Sequence, residues 1–210
     1  MHFSKELPPQ ILKYWGLRGL WLCVCVSLIM LAGCASPSRN PAASPGRIQS
    51  RAAYVCSFGE FVRWPDGVFA DKQAPFIIGI YGADTLDGKL QGTAKDQRIN
   101  GREVMVRTIR TDEEMGRCQI LFISGVKRSG PHGSLGRFSE AELAGIATRL
   151  SRTPVLTVSE NMRHFSDSGI MINLSEGVEK THFEINVPAA NRAGLKISAK
   201  LQALAWGRVK

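Results

Sequence analysis

The sequence lacks the short motifs that mark most nucleotide-binding and hydrolytic enzymes. It contains no GxGxxG or GxxxxGK[ST] stretch, and no serine lies in a GxSxG turn. Histidine is scarce, and His132, His164 and His182 do not show metal-ligand spacing. These absences leave no sequence support for a catalytic group, a cofactor or a metal. We therefore expect a protein that is not an enzyme.

A membrane-spanning stretch is also lacking, because the apolar run from Gly19 to Ala32 has only about 14 residues and a spanning helix needs about 20. The run follows a basic leader and ends in Leu31-Ala32-Gly33-Cys34, which is typical of a lipoprotein signal. We predict a signal peptide over residues 1–33 and a lipid on Cys34. Ala35 and Ser36 stand where inner-membrane lipoproteins usually carry aspartate, which favours sorting to the outer membrane, with the protein on its periplasmic side.

Cysteine is scarce once the leader is removed. Two of the five cysteines lie in the leader and Cys34 carries the predicted lipid, which leaves Cys56 and Cys118. An exported protein meets an oxidising compartment, so a disulfide between these two is one alternative. Both lie in apolar segments, where a buried free thiol is the other alternative.

Acidic residues are outnumbered, with 18 Asp and Glu against 27 Lys and Arg. Without residues 1–33 the balance is 24 basic against 17 acidic residues, a net charge of +7. The basic residues are spread along the chain, and the predicted export separates the protein from nucleic acid. We expect a solvated surface with scattered charges and no nucleic-acid partner.

The segment after the leader predicts a flexible tether. Residues 34–50 are rich in Pro, Ser and Ala and hold no large apolar residue before Ile48. The remaining residues, 51–210, have a length typical of one domain with its own core. Its first element is predicted as a helix from Arg51 to Trp64, which Pro65 ends.

Short runs rich in β-branched residues follow, separated by stretches that favour helices. Their hydrophobicity is continuous rather than alternating, which predicts strands covered on both faces, as in a parallel sheet. We predict an α/β fold, a single layered domain with a mostly parallel, mixed sheet flanked by helices, ending in a β-hairpin and two short helices. The predicted strands are Phe76–Tyr81, Val104–Ile109, Ile120–Ser124 and Val155–Val158, and the hairpin joins Gly169–Leu174 to Thr181–Val187.

The first helix carries a candidate contact surface. Phe58, Phe61 and Trp64 share one side of it at helical spacing, which is typical of core packing. Aromatic residues are also enriched at protein interfaces, so a partner-binding face is the alternative.

The ends of two predicted strands carry a candidate ligand site. Gly82, Asp84 and Ser124 follow strands at the carboxyl edge, where open α/β sheets bind ligands. A tight turn capped by Asp84 is the plainer interpretation, and Asp84 can also cap a helix running to about Lys95. The Gly-rich stretch from Ser124 to Gly136 is predicted as a mobile surface loop before a helix that opens with the capping box Ser139–Glu142.

Several segments together resemble the YfiR family. Phe58-Gly59-Glu60-Phe61-Val62-Arg63-Trp64-Pro65 is similar to the family's F-x-x-F-V-x-W-P pattern, and Gly116–Ser124 is similar to its central strand. The resemblance runs in order from about Arg51 to Trp206. The other similar segments are Pro154–Ser159, Gly169–Asn173, Phe183–Asn186 and Arg192–Leu201.

The resemblance implies a periplasmic regulatory domain without catalysis. The family's namesake restrains cyclic-di-GMP signalling and biofilm formation by binding the periplasmic sensor region of an inner-membrane diguanylate cyclase. We accordingly expect protein–protein contact with a membrane signalling protein, possible homodimers and no cofactor. The nominated partner contacts are Phe58, Phe61, Arg63 and Trp64.

An alternative function is a periplasmic small-ligand sensor that uses Gly82, Asp84 and Ser124.

This chain differs from the family at one of the positions that the resemblance aligns with a disulfide. Cys118 is similar to one of its disulfide cysteines, but the position near Gly79 that would hold its partner is not cysteine.

Overall fold

Strands and helices alternate along the chain in a computed structural model, which describes residues 45–129, 134–177 and 180–209. The predicted leader, Cys34 and the tether up to residue 44 lie outside the described residues. Six helices lie within these ranges, namely α1 (Pro45–Phe61), α2 (Lys89–Ala94), α3 (Asp112–Met115), α4 (Glu140–Leu150), α5 (Val187–Arg192) and α6 (Ala199–Leu204).

Twelve strands lie in the same described ranges. They are β1 (Val62–Arg63), β2 (Phe76–Tyr81), β3 (Arg98–Ile99), β4 (Arg102–Ile109), β5 (Ile120–Ile123), β6 (Val126–Ser129), β7 (Ser134–Arg137), β8 (Leu156–Glu160), β9 (Ile172–Glu176), β10 (Thr181–Asn186), β11 (Lys196–Ile197) and β12 (Gly207–Val209).

An eight-stranded sheet organises these elements in the order β12-β10-β9-β8-β5-β2-β4-β3. The five strands from β9 to β4 are parallel, whereas β10 runs antiparallel to β9 and β3 runs antiparallel to β4. Every residue of β5 and β8 is buried, as continuous hydrophobicity predicts for strands covered on both faces. The predicted α/β fold with a mixed, mostly parallel sheet and the β9–β10 hairpin is confirmed.

The sheet separates two hydrophobic clusters, and the two cysteines lie in different ones. Alternate residues of β5 show the division, since Phe122 belongs to the first cluster and Leu121 to the second. Cys56 on α1 lies in the first cluster and Cys118 in the second, so the disulfide considered from sequence is not formed and both are free. Burial raises the pKa of each thiol to about 12, which keeps both protonated.

Helix α1 is longer at its start and shorter at its end than the sequence predicts. It begins at Pro45, so residues 45–50 of the predicted tether are helical. It ends at Phe61 rather than Trp64 because the next two residues form β1, which pairs with β11. The Ser198 N–H also donates to the Phe61 carbonyl at 2.8 Å, which binds this end of the helix to the C-terminal part of the chain.

Two other local predictions differ from the structure, and one is confirmed. Asp84 does not cap a helix, because α2 starts only at Lys89, but its carboxylate holds the expected tight turn by accepting from the Leu86 and Gly88 N–H groups. Much of the predicted loop over 124–136 is the β6–β7 hairpin, and residues 130–133 lie outside the described residues. The capping box Ser139–Glu142 opens α4 as predicted.

Candidate functional site

Two of the four nominated partner contacts are core residues. Phe58 is fully buried, and its ring meets that of Phe183 edge-on at 5.4 Å. Trp64 is 8% exposed and packs edge-on against Phe76 at 5.1 Å. Neither side chain is open to a partner, so the nomination of these two is corrected. The aromatic spacing reflected core packing, the first of the two alternatives.

The other two nominated residues lie at the surface where α1 passes into β1. Phe61 is half-buried, with the Lys200 ammonium 5.4 Å from the centre of its ring. Arg63 is exposed and stands directly opposite exposed Lys196 across the β1–β11 ladder. Like charges directly opposite each other on antiparallel strands are destabilising. The fold therefore sets two exposed cationic residues opposite each other at this surface.

A cavity of about 810 Å³ opens at this surface, and we call it the amino-edge cleft. It lies by the first residues of β2 and β4, since Trp64 packs on Phe76 and Arg102 is in the lining. Its charged lining includes both acidic and basic side chains. The cleft is lined by residues 60–67, 69, 71, 72, 100, 102 and 196–198.

Arg102 holds one wall of the amino-edge cleft in place. Its Nη1 donates to the carbonyls of Asp71, Lys72 and Ala74 at 2.8, 3.1 and 2.7 Å. Its guanidinium also lies over the Phe69 ring, 3.9 Å from the ring centre, in cation–π geometry. The loop between β1 and β2 is thus bonded to the start of β4, so this wall is formed before any partner binds.

The three predicted ligand-binding positions lie together at the opposite edge of the sheet, but their polar groups are bonded within the chain. The Ser124 hydroxyl donates to the Val126 carbonyl at 2.6 Å, and Asp84 holds its own turn. Gly82 packs so closely that an added Cβ would lie 2.6 Å from both the Ser124 Oγ and the Val126 carbonyl. Gly82 and Asp84 still line a cavity of about 750 Å³ that also includes Arg110 and Lys127.

A buried ion network at this carboxyl edge was missed by the sequence reasoning. Arg51 on α1 contacts the Glu160 carboxylate at 2.5 Å and the Glu176 carboxylate at 3.4 Å. Glu160 also accepts from the Gly125 N–H at 2.8 Å, and Arg47 contacts Glu176 at 3.2 Å. The sequence did contain a signal for this network. Apolar residues follow Arg51 four and seven positions later, and this helical spacing places Arg51 on the buried face of α1.

The fold and these two edges define a class: an α/β domain with a preformed cleft at the amino ends of its strands and a carboxyl edge partly covered by its own side chains. The profile of the YfiR/HmsC-like family matches residues 48–206. The chain belongs to the YfiR/HmsC-like family. Domains of this family are in general periplasmic regulators of cyclic-di-GMP signalling, are regulatory rather than catalytic, and bind a membrane sensor protein.

Solved structures with a related arrangement share little sequence with this chain. A conserved domain protein from Vibrio cholerae has 9% identity and a TM-score of 0.47, over 77% of this chain and 60% of that one. An ABC domain solved with L-Trp from Streptococcus pneumonia has 7% identity and a TM-score of 0.46, over 78% and 60%. The chain thus spans about 60% of the length of these structures.

A search of curated proteins finds no match to this chain. Among the helices of the described residues, none has the length and apolar character needed to cross a membrane.

Proposed function

We propose that this protein is an exported, lipid-anchored regulator that contacts the periplasmic sensor region of a membrane signalling protein, such as a diguanylate cyclase. Cys34 is the proposed lipid attachment site, on the periplasmic side of the outer membrane. Family membership supports the regulatory role, and the amino-edge cleft is the proposed contact surface.

We choose this surface as the contact site because Arg63 and Lys196 lie opposite each other on it. Opposite charges across a ladder contribute about 0.2–1 kcal/mol, and like charges directly opposite are destabilising. An acidic side chain from a partner would offset the repulsion between the two cations, while half-buried Phe61 beside them offers an apolar contact. The expected partner surface therefore combines a carboxylate with an apolar group.

Regulation by such a contact requires only that one state of the sensor bind more tightly than the other. A difference of about 3 kcal/mol would shift the ratio of the two states roughly 150-fold. The preformed wall held by Arg102 limits the loss of conformational freedom on binding.

The test replaces Arg63 by glutamate and follows binding and stability together. Arg63→Glu places a carboxylate opposite Lys196, so the melting temperature should stay the same or rise, while sensor binding falls at least about tenfold. Arg152→Glu, which makes the same charge change at another exposed position, is the matched control and should bind normally. Equal binding by Arg63→Glu and the wild type would refute the surface.

The anchor needs its own test. Mass spectrometry of the membrane-bound protein should show a lipid on an amino-terminal Cys34, and Cys34→Ala should release the protein from the membrane. Crosslinking in intact cells then compares the two forms. Equal capture of the same sensor by both would contradict a role for the anchor in partner choice.

A small-ligand sensor is the second candidate, because a cavity of about 750 Å³ lies beside Gly82 and Asp84 with the cationic Arg110 and Lys127 in its lining. A panel of anionic metabolites tests it by thermal unfolding. A ligand at 100 times its dissociation constant should add about 2.7 kcal/mol of stability. No shift across the panel would count against this candidate.

A further inference from the structure

Exposed apolar side chains lie next to β12, the strand at one edge of the large sheet. Trp206 is 73% exposed and Leu204 is 62% exposed, although tryptophan is on average highly buried in folded proteins. Arg208 is also exposed, whereas the residues between these three are half-buried. Every second side chain from 204 to 208 is therefore exposed, as on an extended segment with one open face. We call Leu204, Trp206 and Arg208 the edge patch.

The backbone fixes the position of the edge patch. The Trp206 N–H donates to the Phe183 carbonyl at 2.9 Å, and Arg208 pairs with Ile185 in the parallel β10–β12 ladder. The Trp206 ring also lies 5.7 Å from the ring of His182. The exposed apolar groups are thus displayed by a paired strand, so they are already in place for a binding surface.

A chain of contacts connects the start of α1 to the edge patch. Arg47, in the first turn of α1, donates to the carbonyl of Gly177 at 2.7 Å, just after β9. Gly177 packs so closely on His182 that an added Cβ would lie 2.5 Å from its ring. His182 in turn contacts Trp206. Helix α1 therefore begins at the corner of the domain that displays Trp206.

The length of chain before α1 limits how far this corner can lie from a membrane. Cys34, the proposed lipid attachment site, precedes Pro45 by eleven residues, which reach at most about 40 Å when fully extended. A short link of this kind gives a second contact a high effective concentration, so a weak contact is enough to hold. The bilayer that carries the lipid is therefore the surface that the edge patch meets most often.

The charges around the edge patch favour an anionic lipid surface. Arg208 and Lys180 are exposed cations at this corner. Two nearby acidic side chains are bonded within the chain, since Glu176 pairs with two arginines of α1 and Glu184 accepts from the Asn173 amide at 3.0 Å. Tryptophan is enriched at the headgroup level of membranes, and Lys and Arg are attracted to anionic headgroups. The patch combines both features.

We propose that the edge patch seats on the phospholipid surface of the membrane that holds the anchor, with the Trp206 ring at the headgroup level and Arg208 and Lys180 against anionic headgroups. The inference rests on the proposed lipid on Cys34, because a patch this small needs the tether to hold it.

Seating at this corner has a consequence for the amino-edge cleft. Helix α1 has 17 residues and is about 25 Å long, and its last residue, Phe61, lines that cleft. The start of α1 would lie at the lipid surface. The cleft would then open away from the lipid, on the side from which a sensor region can approach.

Tryptophan fluorescence in vesicles tests the seating. The lipid-bearing protein, purified from membranes, is inserted into vesicles of phosphatidylethanolamine and phosphatidylglycerol, with or without bromine on the acyl chains. Brominated lipid should quench most of the Trp206 emission, whereas Trp206→Phe should show little quenching. Trp64, the other tryptophan among the described residues, is only 8% exposed and contributes little, and Trp15 and Trp21 belong to the predicted leader.

A matched control moves the exposed tryptophan to the opposite side of the sheet. Met105 on β4 is 41% exposed, and β4 lies near the other end of the strand order from β12. Met105→Trp in the Trp206→Phe background should therefore escape quenching. Arg208→Glu should lower the ratio of seated to free domain about tenfold or more, while Arg107→Glu on β4 should not. An unchanged melting temperature shows that these variants are folded.

The outcomes separate failure of the seating from failure of the anchor. Absence of quenching at position 206 while the protein stays with the vesicles, or equal quenching at positions 206 and 105, would overturn the seating alone. An unmodified Cys34 in mass spectrometry would overturn the anchor and the seating with it. A photoreactive phenylalanine in place of Trp206 should crosslink to lipid in intact cells, and a crosslink to a protein would overturn the proposal.

Discussion

Removing the buried cation Arg51 should destabilise the protein more than removing any comparable surface charge. The Arg51 side chain is 7% exposed and its partner Glu160 is 4% exposed, at a contact distance of 2.5 Å. A second carboxylate, Glu176, lies 3.4 Å from the Arg51 Nε and is 10% exposed. Loss of the guanidinium leaves Glu160 without its cation, in a place that water reaches poorly.

The magnitude follows from the cost of a buried, uncompensated charge. Breaking a buried pair by removing one partner costs about 3–5 kcal/mol. For a domain of this size, each kcal/mol lowers the melting temperature by about 2–4 °C. We therefore expect Arg51→Met to lower the melting temperature by roughly 6–20 °C, with methionine chosen because it keeps much of the buried volume.

Thermal and urea unfolding at neutral pH measure this effect. The double variant Arg51→Met with Glu160→Gln should recover part of the loss, because the amide removes the stranded charge and can still accept from the Gly125 N–H. Arg152→Met, at an exposed position, should change stability by less than about 0.5 kcal/mol. A cost below about 1 kcal/mol for Arg51→Met, or no recovery in the double variant, would refute the reasoning.

Two further predictions concern the start of α4 and the packing of α1. A hydrogen bond from Lys127, together with bonds from Ser139, lowers the pKa of Glu142 from its usual 4.5 to about 2. The ionised Glu142 carboxylate therefore stabilises the protein above pH 4.5, and this stabilisation is lost as the pH falls toward 2. Lys127→Ala should raise the pKa of Glu142, which an NMR titration of its carboxyl group measures. Gly59→Ala should cost about 1–3 kcal/mol, because the new Cβ would lie 2.6 Å from an Ile99 methyl group. Gly92→Ala on α2, with nothing within 4 Å of the new Cβ, should be neutral or stabilising in the same urea titration.

Elements defined by their own residues could be predicted from the sequence. Strand β2 has the bounds predicted from its continuous apolar run, Phe76–Tyr81. Helix α4 begins at the predicted capping box because Ser139 and Glu142 satisfy each other's backbone groups locally. The Asn100-Gly101 pair was an equally local hairpin signal that the sequence reasoning overlooked.

Features set by distant parts of the chain could not be predicted in this way. The end of α1 at Phe61 depends on pairing between residues 62–63 and 196–197, which lie far apart in the sequence. The same pairing puts Arg63 opposite Lys196, and no local pattern contains that information. Phe61 and Trp64 are close in the sequence, yet only the tertiary fold decides that Trp64 is the more buried of the two.

The proposed contact surface lies away from the edge where open α/β sheets usually bind ligands, and other parts of the chain partly cover that edge. The strand order β4-β2-β5-β8-β9 puts the switch point of the parallel strands between β2 and β5, where open α/β sheets commonly bind ligands. Here the Ala83 N–H donates to the Val126 carbonyl at 2.8 Å, so the β6–β7 hairpin is bonded across that point. The ion pair of Arg51 and Glu160 occupies the ends of the neighbouring strands. The carboxyl edge still opens into a cavity of about 750 Å³, so the choice of the amino-edge cleft as the proposed contact surface rests on the Arg63–Lys196 pair and on the wall that Arg102 holds.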